Sequence, residues 1–204
     1  MIRRQLRPAI SATLVLMLIT GLVYPLLVTG LAQLLFPRQA NGSLVVRDGR
    51  VIGSALIGQR FSEPQYFHPR PSAAGAGYDP LASGGTNKGP TDRKLADTLI
   101  AIAVDSVVAE DGVRRGSIPS DLVTSSASGL DPDISPAAAA VQIARVARAR
   151  NTDPARIAEI VARHVEARQL GVLGEPRVNV LALNIALDSA FARHLSPEHL
   201  PGAH

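Results

Sequence analysis

The sequence predicts a single N-terminal transmembrane helix followed by one α/β (or α+β) extracytoplasmic domain. Three observations carry that prediction: residues 9–36 form one uncharged, mostly apolar run, arginines cluster just before it, and the remaining 168 of 204 residues combine a hairpin signal with several helix starts. One compact domain is expected for a body of that size, since domains of roughly 100 to 150 residues are commonest.

The run AISATLVLMLITGLVYPLLVTGLAQLLF would extend about 42 Å as a helix, against a hydrocarbon core of about 30 Å. A signal peptide is the rival, but its apolar region usually has about 7 to 15 residues and ends at a small-x-small site. Here the apolar character continues through Leu34, Leu35 and Phe36, so a retained span is expected. Arg3, Arg4 and Arg7 precede it, whereas Arg38, Arg47 and Arg50 beyond it are partly offset by Asp48. That bias favours a cytoplasmic N-terminus at 1–8, a transmembrane helix at 9–36 and a domain outside the cytoplasm at 37–204. Within the span, Pro25 lacks a donor and crowds the carbonyl of Gly21, which predicts a kink. Gly21 and Gly30, with Thr20 and Thr29, are small enough to admit a neighbouring helix closely. A plain anchor with incidental glycines is the alternative.

The chain has no cysteine, which excludes disulfides, thiolate metal sites and thiol nucleophiles. Its 21 Lys and Arg exceed 17 Asp and Glu, but three of the bases precede the span, so the remainder holds 18 against 17. A nearly neutral body without Trp gives little support for nucleic-acid binding.

Leu44 to Ile52 forms a hairpin signal around Asp48-Gly49, a pair suited to the positive φ of a tight turn. From Phe61 to Pro90 no helical or alternating period persists, yet the stretch holds Phe61, Tyr66, Phe67 and Tyr78. Disordered linkers are poor in aromatics, so this is an ordered-loop candidate. Thr91 is the expected cap of a helix whose apolar face is Leu95, Leu99, Ile102 and Val107 and which stops near Asp111-Gly112. Ile118 to Thr124 is a short strand or an extended entry. Ser135-Pro136 opens a helix over 137–150, and Asp153-Pro154 opens a second with Gly171 as its expected terminator. The last piece begins β-branched at Val178 but repeats Leu183, Leu187 and Phe191 every four, favouring a helix capped by Asn179.

Gly84 to Gly89 departs from the nucleotide-loop pattern, because Pro90 stands where an amide is needed, and is expected to be a structural turn. Asp131 and Asp133 could collect a hard cation, but they also suit turns and caps. No catalytic and no metal-ligating set is expected, since no G-x-S-x-G elbow and no further clustered carboxylates accompany them. Tyr66, Phe67, His68 and Arg70, stiffened by Pro69 and Pro71, are the candidate partner contacts. The alternative is that Tyr66 and Phe67 fill the domain's own core.

Several blocks, GSALIGQRF at 53–61, YFHPRPSAAGAGYDP at 66–80, SGGTNKGPT at 83–91, the long stretch 118–150 and GEPRVNVLALN at 174–184, lie along one chain with the N-terminal span. In order and nearly end to end they resemble the KdpC family, the C subunits of the bacterial high-affinity potassium-transporting P-type ATPase. Ala127, Asp133 and Thr86 depart from the usual family text. The resemblance implies a non-catalytic subunit of the bacterial inner membrane. Its partners would be a channel-like potassium-binding subunit, a P-type ATPase catalytic subunit, a small single-helix subunit and membrane lipid, with no nucleic acid. It also implies a catalytic chaperone that raises the ATP affinity of the catalytic subunit. ATP would then be the only cofactor, reached through that subunit, and Gln142 corresponds to the glutamine implicated in contacting it. A body on the outer side cannot touch cytoplasmic ATP, so the charge bias and a direct Gln142 contact pull apart. A free-standing membrane-anchored envelope binding module is the alternative from another class.

Overall fold

A computed structural model describes residues 2–191. The chain divides between Leu44 and Val45 into two compact units. The first is helical from Ile2: α1 (Ile2–Leu18) passes through a π-helical turn at Ile19–Val23 into α2 (Tyr24–Leu35), and a short α3 (Pro37–Ala40) follows. Arg4–Leu35 is long and apolar enough to cross a membrane. The disturbance expected from Pro25 takes the form of that π turn. The Tyr24 amide donates five residues back to the Ile19 carbonyl, and the Thr20 hydroxyl donates to the Leu16 carbonyl. A wider turn is one way for a helix to take in a residue that cannot donate to the preceding turn.

The second unit is a mixed α and β domain with antiparallel strands. The hairpin forms as expected, β1 (Leu44–Arg47) pairing with β2 (Arg50–Ser54) across Asp48 and Gly49, both at positive φ. Downstream, α4 (Ala101–Asp111) is entered through a π-helical segment at Leu95–Ile100 and ends at left-handed Gly112. Asp92, not Thr91, supplies the cap, its carboxylate accepting from the Leu95 amide. The expected apolar face is buried only in part, since Val107 packs against the core and Leu95 is half-buried. Leu99 and Ile102 are exposed and Asp111 is the buried residue of α4, because that residue's partner lies in the domain centre.

The main layer is built from β3 (Asp133–Ile134), α5 (Pro136–Ala149), α6 (Pro154–Arg163), β4 (Val165–Glu166), β5 (Arg177–Asn179) and α7 (Val180–Ala190). All three helices start where capping chemistry predicts. Ser135, Asp153 and Asn179 each accept from an amide of the first turn, and Pro136 and Pro154 occupy positions where a missing N–H costs little. The second helix ends at Arg163 rather than Gly171. Val165 and Glu166 leave it to pair with Val178 and Arg177, and β5 then pairs with β3 on its other side. Gly171 instead sits in a turn closed by the Gln169–Leu173 bridge. Helices α5, α6 and α7 enclose a core of Phe67, Ile134, Val146, Ile157, Val178, Leu183 and Leu187. Burying such side chains contributes roughly 1.5 to 3 kcal/mol each.

The irregular stretch 61–90 is tied to a second irregular stretch, 124–131. Gly84 donates to the Ser128 carbonyl at 2.8 Å, Ser72 to the Gly129 carbonyl at 2.6 Å, and Arg70 reaches Asp131 at 2.8 Å. Gly129 has φ +66, and a Cβ there would lie 2.5 Å from the Gly84 carbonyl oxygen. Two loops approach so closely only because that position has no side chain.

Candidate functional site

The polar centre of the domain is organised around the backbone of Phe67 and His68. Two carboxamides grip successive peptide units of this segment. The Phe67 amide donates to Asn184 Oδ1 at 2.8 Å, and Asn184 Nδ2 donates back to the Phe67 carbonyl at 3.0 Å. One residue on, the His68 amide donates to Gln142 Oε1 at 2.7 Å and Gln142 Nε2 donates to the His68 carbonyl at 3.1 Å. Each carboxamide thus makes the reciprocal bond pair that a neighbouring strand would make. Asn184 projects from α7 and Gln142 from α5, so the segment is held between two helices.

Gln142 has no capacity left over. Its oxygen also accepts from Arg145 Nη2 at 2.7 Å and its nitrogen also donates to the Ala138 carbonyl at 3.3 Å, which uses two acceptor positions and two donors. The residue is 1% exposed. Arg145 is similarly consumed: Nε donates to Asp111 at 2.8 Å, and Nη1 to the carbonyls of Pro64 and Tyr66 at 2.8 and 2.9 Å. Tying α4, α5 and the loop together in this way explains why α4 buries an aspartate.

A second buried ionic group lies behind Tyr66. Asp188 accepts from Arg150 at 2.9 Å and from the Tyr66 hydroxyl at 3.2 Å, with Arg47 of β1 at 3.5 Å. Burial, with the Asp188 charge in support, pushes the Tyr66 phenol up and keeps it a donor. Arg150 Nη1 has no hydrogen-bond partner among the described residues. Its guanidinium carbon lies 5.3 Å from the Tyr66 ring centre and 5.8 Å from that of Phe191, so aromatic faces stand in for an acceptor.

Of the candidate partner contacts, Tyr66 and Phe67 are therefore inside the domain, Phe67 completely. Their aromatic area is used for the core. Arg70 pairs with Asp131 and donates to the Thr124 and Ser125 carbonyls, so it staples the two irregular stretches, and His68 lines a cleft. Gly21 and Gly30 belong to the first unit, and a Cβ at either would meet nothing within 4 Å. The Gly84–Gly89 stretch, expected to be a turn, has no regular structure: the Gly84 amide is held by the Ser128 carbonyl at 2.8 Å, Lys88 by Asp92 at 2.8 Å, and the turn comes after it, at Pro90 and Thr91. Asp133 engages Arg177 at 3.1 Å and Asn179 at 3.2 Å, and among the described residues no group of side chains could hold a metal ion. Asn184, Arg145, Asp111, Arg150 and Asp188 escaped the sequence reading. Polar and charged residues at apolar-face positions of the expected helices were the available signal.

The cleft beside the clamp has a volume of about 570 Å³ and is lined by Ser62, Pro64, His68, Glu110, Arg145 and Arg148. His68 Nδ1 stands 3.1 Å from Glu110, and Nε2 stands 3.2 Å from the Glu63 carbonyl and 3.4 Å from Arg145 Nη1.

An apolar span, and a domain whose two central carboxamides are engaged by backbone and by one another's neighbours, define a membrane-anchored domain built to hold a shape. The chain belongs to the family described as KdpC, the c chain of the K+-transporting ATPase, whose profile matches residues 6–189. It is 68% identical over 190 residues to the potassium-transporting ATPase KdpC subunit of Gemmatimonas aurantiaca, covering 93% of this chain and 94% of that one. The KdpC subunit of Bradyrhizobium diazoefficiens is 54% identical over 202 residues, with 93% and 99% coverage. That of Rhodospirillum rubrum is 56% identical over 188 residues, with 92% and 97%. The chain is accordingly a non-catalytic accessory subunit and a single-pass protein of the inner membrane.

Proposed function

We propose that this chain supports ATP-driven potassium uptake as a structural accessory, and that any rise it causes in the ATP affinity of the catalytic subunit is transmitted through conformational linkage rather than by contact with nucleotide. The observation that carries this reading is the saturation of Gln142, whose carboxamide closes the Phe67–His68 clamp with every donor and acceptor engaged. A nucleotide at Gln142 would have to displace buried bonds to backbone and to Arg145. The charge bias across the span supports the same conclusion, since it puts the domain on the side away from cytoplasmic ATP.

The partners are a channel-like potassium-binding subunit, a P-type ATPase subunit and a small single-helix subunit. Gly21 and Gly30, open on the span, are the positions at which a partner helix would approach. Two measurements test the proposal: ATP binding by the purified full-length chain, and the ATP KM of the complex with and without it. No saturable binding by the chain alone, with a lower KM in its presence, is expected. Saturable ATP binding by the chain alone overturns linkage. Purification as a monomer without ATPase subunits after mild detergent extraction would favour the free-standing module.

A further inference from the structure

We propose that the span presents a hydrogen-bonding stripe, made of the Thr20 carbonyl and the Tyr24 hydroxyl, to a transmembrane helix of another subunit that carries a polar side chain at the same depth. The occupant is a helix of the potassium-uptake complex, so the stripe rests on the accessory-subunit reading above.

The π turn disturbs the ladder of main-chain bonds at one carbonyl in particular. The Tyr24 amide donates five residues back to the Ile19 carbonyl, and so passes over Thr20, the carbonyl four residues back. The position five residues beyond Thr20 is Pro25, which has no N–H. Thr20 is thus deprived of the donor four residues on by the wide turn and of the donor five residues on by the proline. Its side chain is committed as well, the hydroxyl donating to the Leu16 carbonyl at 2.7 Å.

Depth decides what that acceptor can meet. Thr20 lies 16 residues after Arg4 and 15 before Leu35, in the middle of the apolar helix. Those intervals are about 24 and 22 Å of helix, against a hydrocarbon half-thickness of roughly 15 Å. An unpaired backbone group at that depth is costly, and spanning helices that break their ladder recover the bond from neighbouring helices or polar side chains.

Tyr24 adds a second polar group on the same face, four residues on. It is 64% exposed, and its hydroxyl has no hydrogen-bond partner among the described residues. Tyrosines of membrane helices collect at the interfaces, where the hydroxyl meets water. Tyr24 stands 11 residues short of Leu35, and long helical side chains lean toward the N-terminus, which carries the hydroxyl toward the level of Thr20 instead of the nearer interface.

Lipid tails offer neither group a partner. A neighbouring helix bearing a serine, threonine, asparagine or glutamine does, since each can donate to the carbonyl and accept from the phenol. Gly21, beside Thr20, lets that helix come close, because it has no side chain to hold a neighbour off. A second copy of this span also carries a donor, its own Tyr24, and is the competing occupant.

The test uses the full-length chain in its complex. Photoreactive benzoylphenylalanine is placed at position 24, membranes are irradiated, and the adduct is identified by mass. An adduct with a transmembrane segment of another subunit is expected, whereas adducts confined to lipid or to a second copy of this chain overturn the proposal. Two substitutions then read the bonds. Tyr24→Phe keeps the ring and removes the hydroxyl. Pro25→Ala returns an amide, so that the Thr20 carbonyl is served from within the helix whether or not the wide turn persists. Neither adds charge, so both chains should insert as wild type does. When each purified chain is titrated into the complex prepared without it, both variants should associate about threefold more weakly, the size of one interhelical hydrogen bond in a membrane. If wild type associates and both variants match it, the stripe is refuted while the accessory reading stands. If wild type itself does not associate with the ATPase subunits, the accessory reading fails and takes the stripe's occupant with it.

Discussion

At the scale of single residues, the clamp makes a carboxamide irreplaceable by its near-isosteres. In Gln142→Ala the His68 amide and carbonyl lose their partner and one Arg145 nitrogen loses its acceptor, all in a buried site. Each unsatisfied buried group costs about 1–3 kcal/mol, so a loss of about 3 kcal/mol is expected, partial relaxation included. Urea titration of the full-length chain in detergent measures it. Gln142→Glu should lose stability too, for a different reason: an ionised carboxylate still accepts from His68 and Arg145 but turns an oxygen toward the His68 and Ala138 carbonyls. Near-wild-type stability in both variants would show that the clamp contributes little. Gln142 thus connects α5 to the irregular stretch 61–90 through hydrogen bonds to a residue 74 positions away.

At the scale of elements, the contact between stretches 61–90 and 124–131 depends on Gly129. Gly129→Ala combines a positive φ with a Cβ 2.5 Å from backbone oxygen and 2.7 Å from the Ala74 nitrogen. A loss of at least about 2 kcal/mol is expected, read as a lower melting temperature and as faster hydrogen exchange at Gly84, whose amide bonds Ser128. Exchange at Val178 in the core strand should respond less. Substituting Gly21 and Gly30 by Leu has the opposite character, because the added side chains meet nothing within the chain. The isolated protein should melt unchanged while co-purification of the ATPase subunits weakens, and unaltered recovery of a stably inserted variant would reduce the span to an anchor. What was legible beforehand follows the same division. The Asp48-Gly49 turn and the Ser135, Asp153 and Asn179 caps rest on chemistry within four residues, and all four appear where the sequence places them. The early end of α6, the two-residue strands and the roles of Asn184 and Arg145 depend on partners far along the chain, which local spacing does not encode. Tyr66 and Phe67 illustrate the ambiguity, since aromatic residues in a proline-rich loop suit an interface and a core equally well until the helices that enclose them are placed.

At the scale of the whole molecule, the positive charge before the span predicts an orientation. In sealed right-side-out vesicles, added protease should degrade the domain and spare an N-terminal tag. Protection of the domain would place it in the cytoplasm and reopen direct nucleotide contact. The clamp has a consequence of another kind, for solubility. Tyr66, Phe67 and His68 leave a turn at Pro64 and Gln65 as an aromatic-rich segment without regular structure, and backbone of that kind, left unpaired, is open to other chains. Here its pairing groups face side-chain amides from two helices, so the segment is paired without a sheet and leaves no edge. No second molecule can extend it while Asn184 and Gln142 stay in place. Unclamping it would present an unpaired aromatic segment beside a membrane crowded with other copies, and the first sign of failure would be self-association rather than loss of helix content.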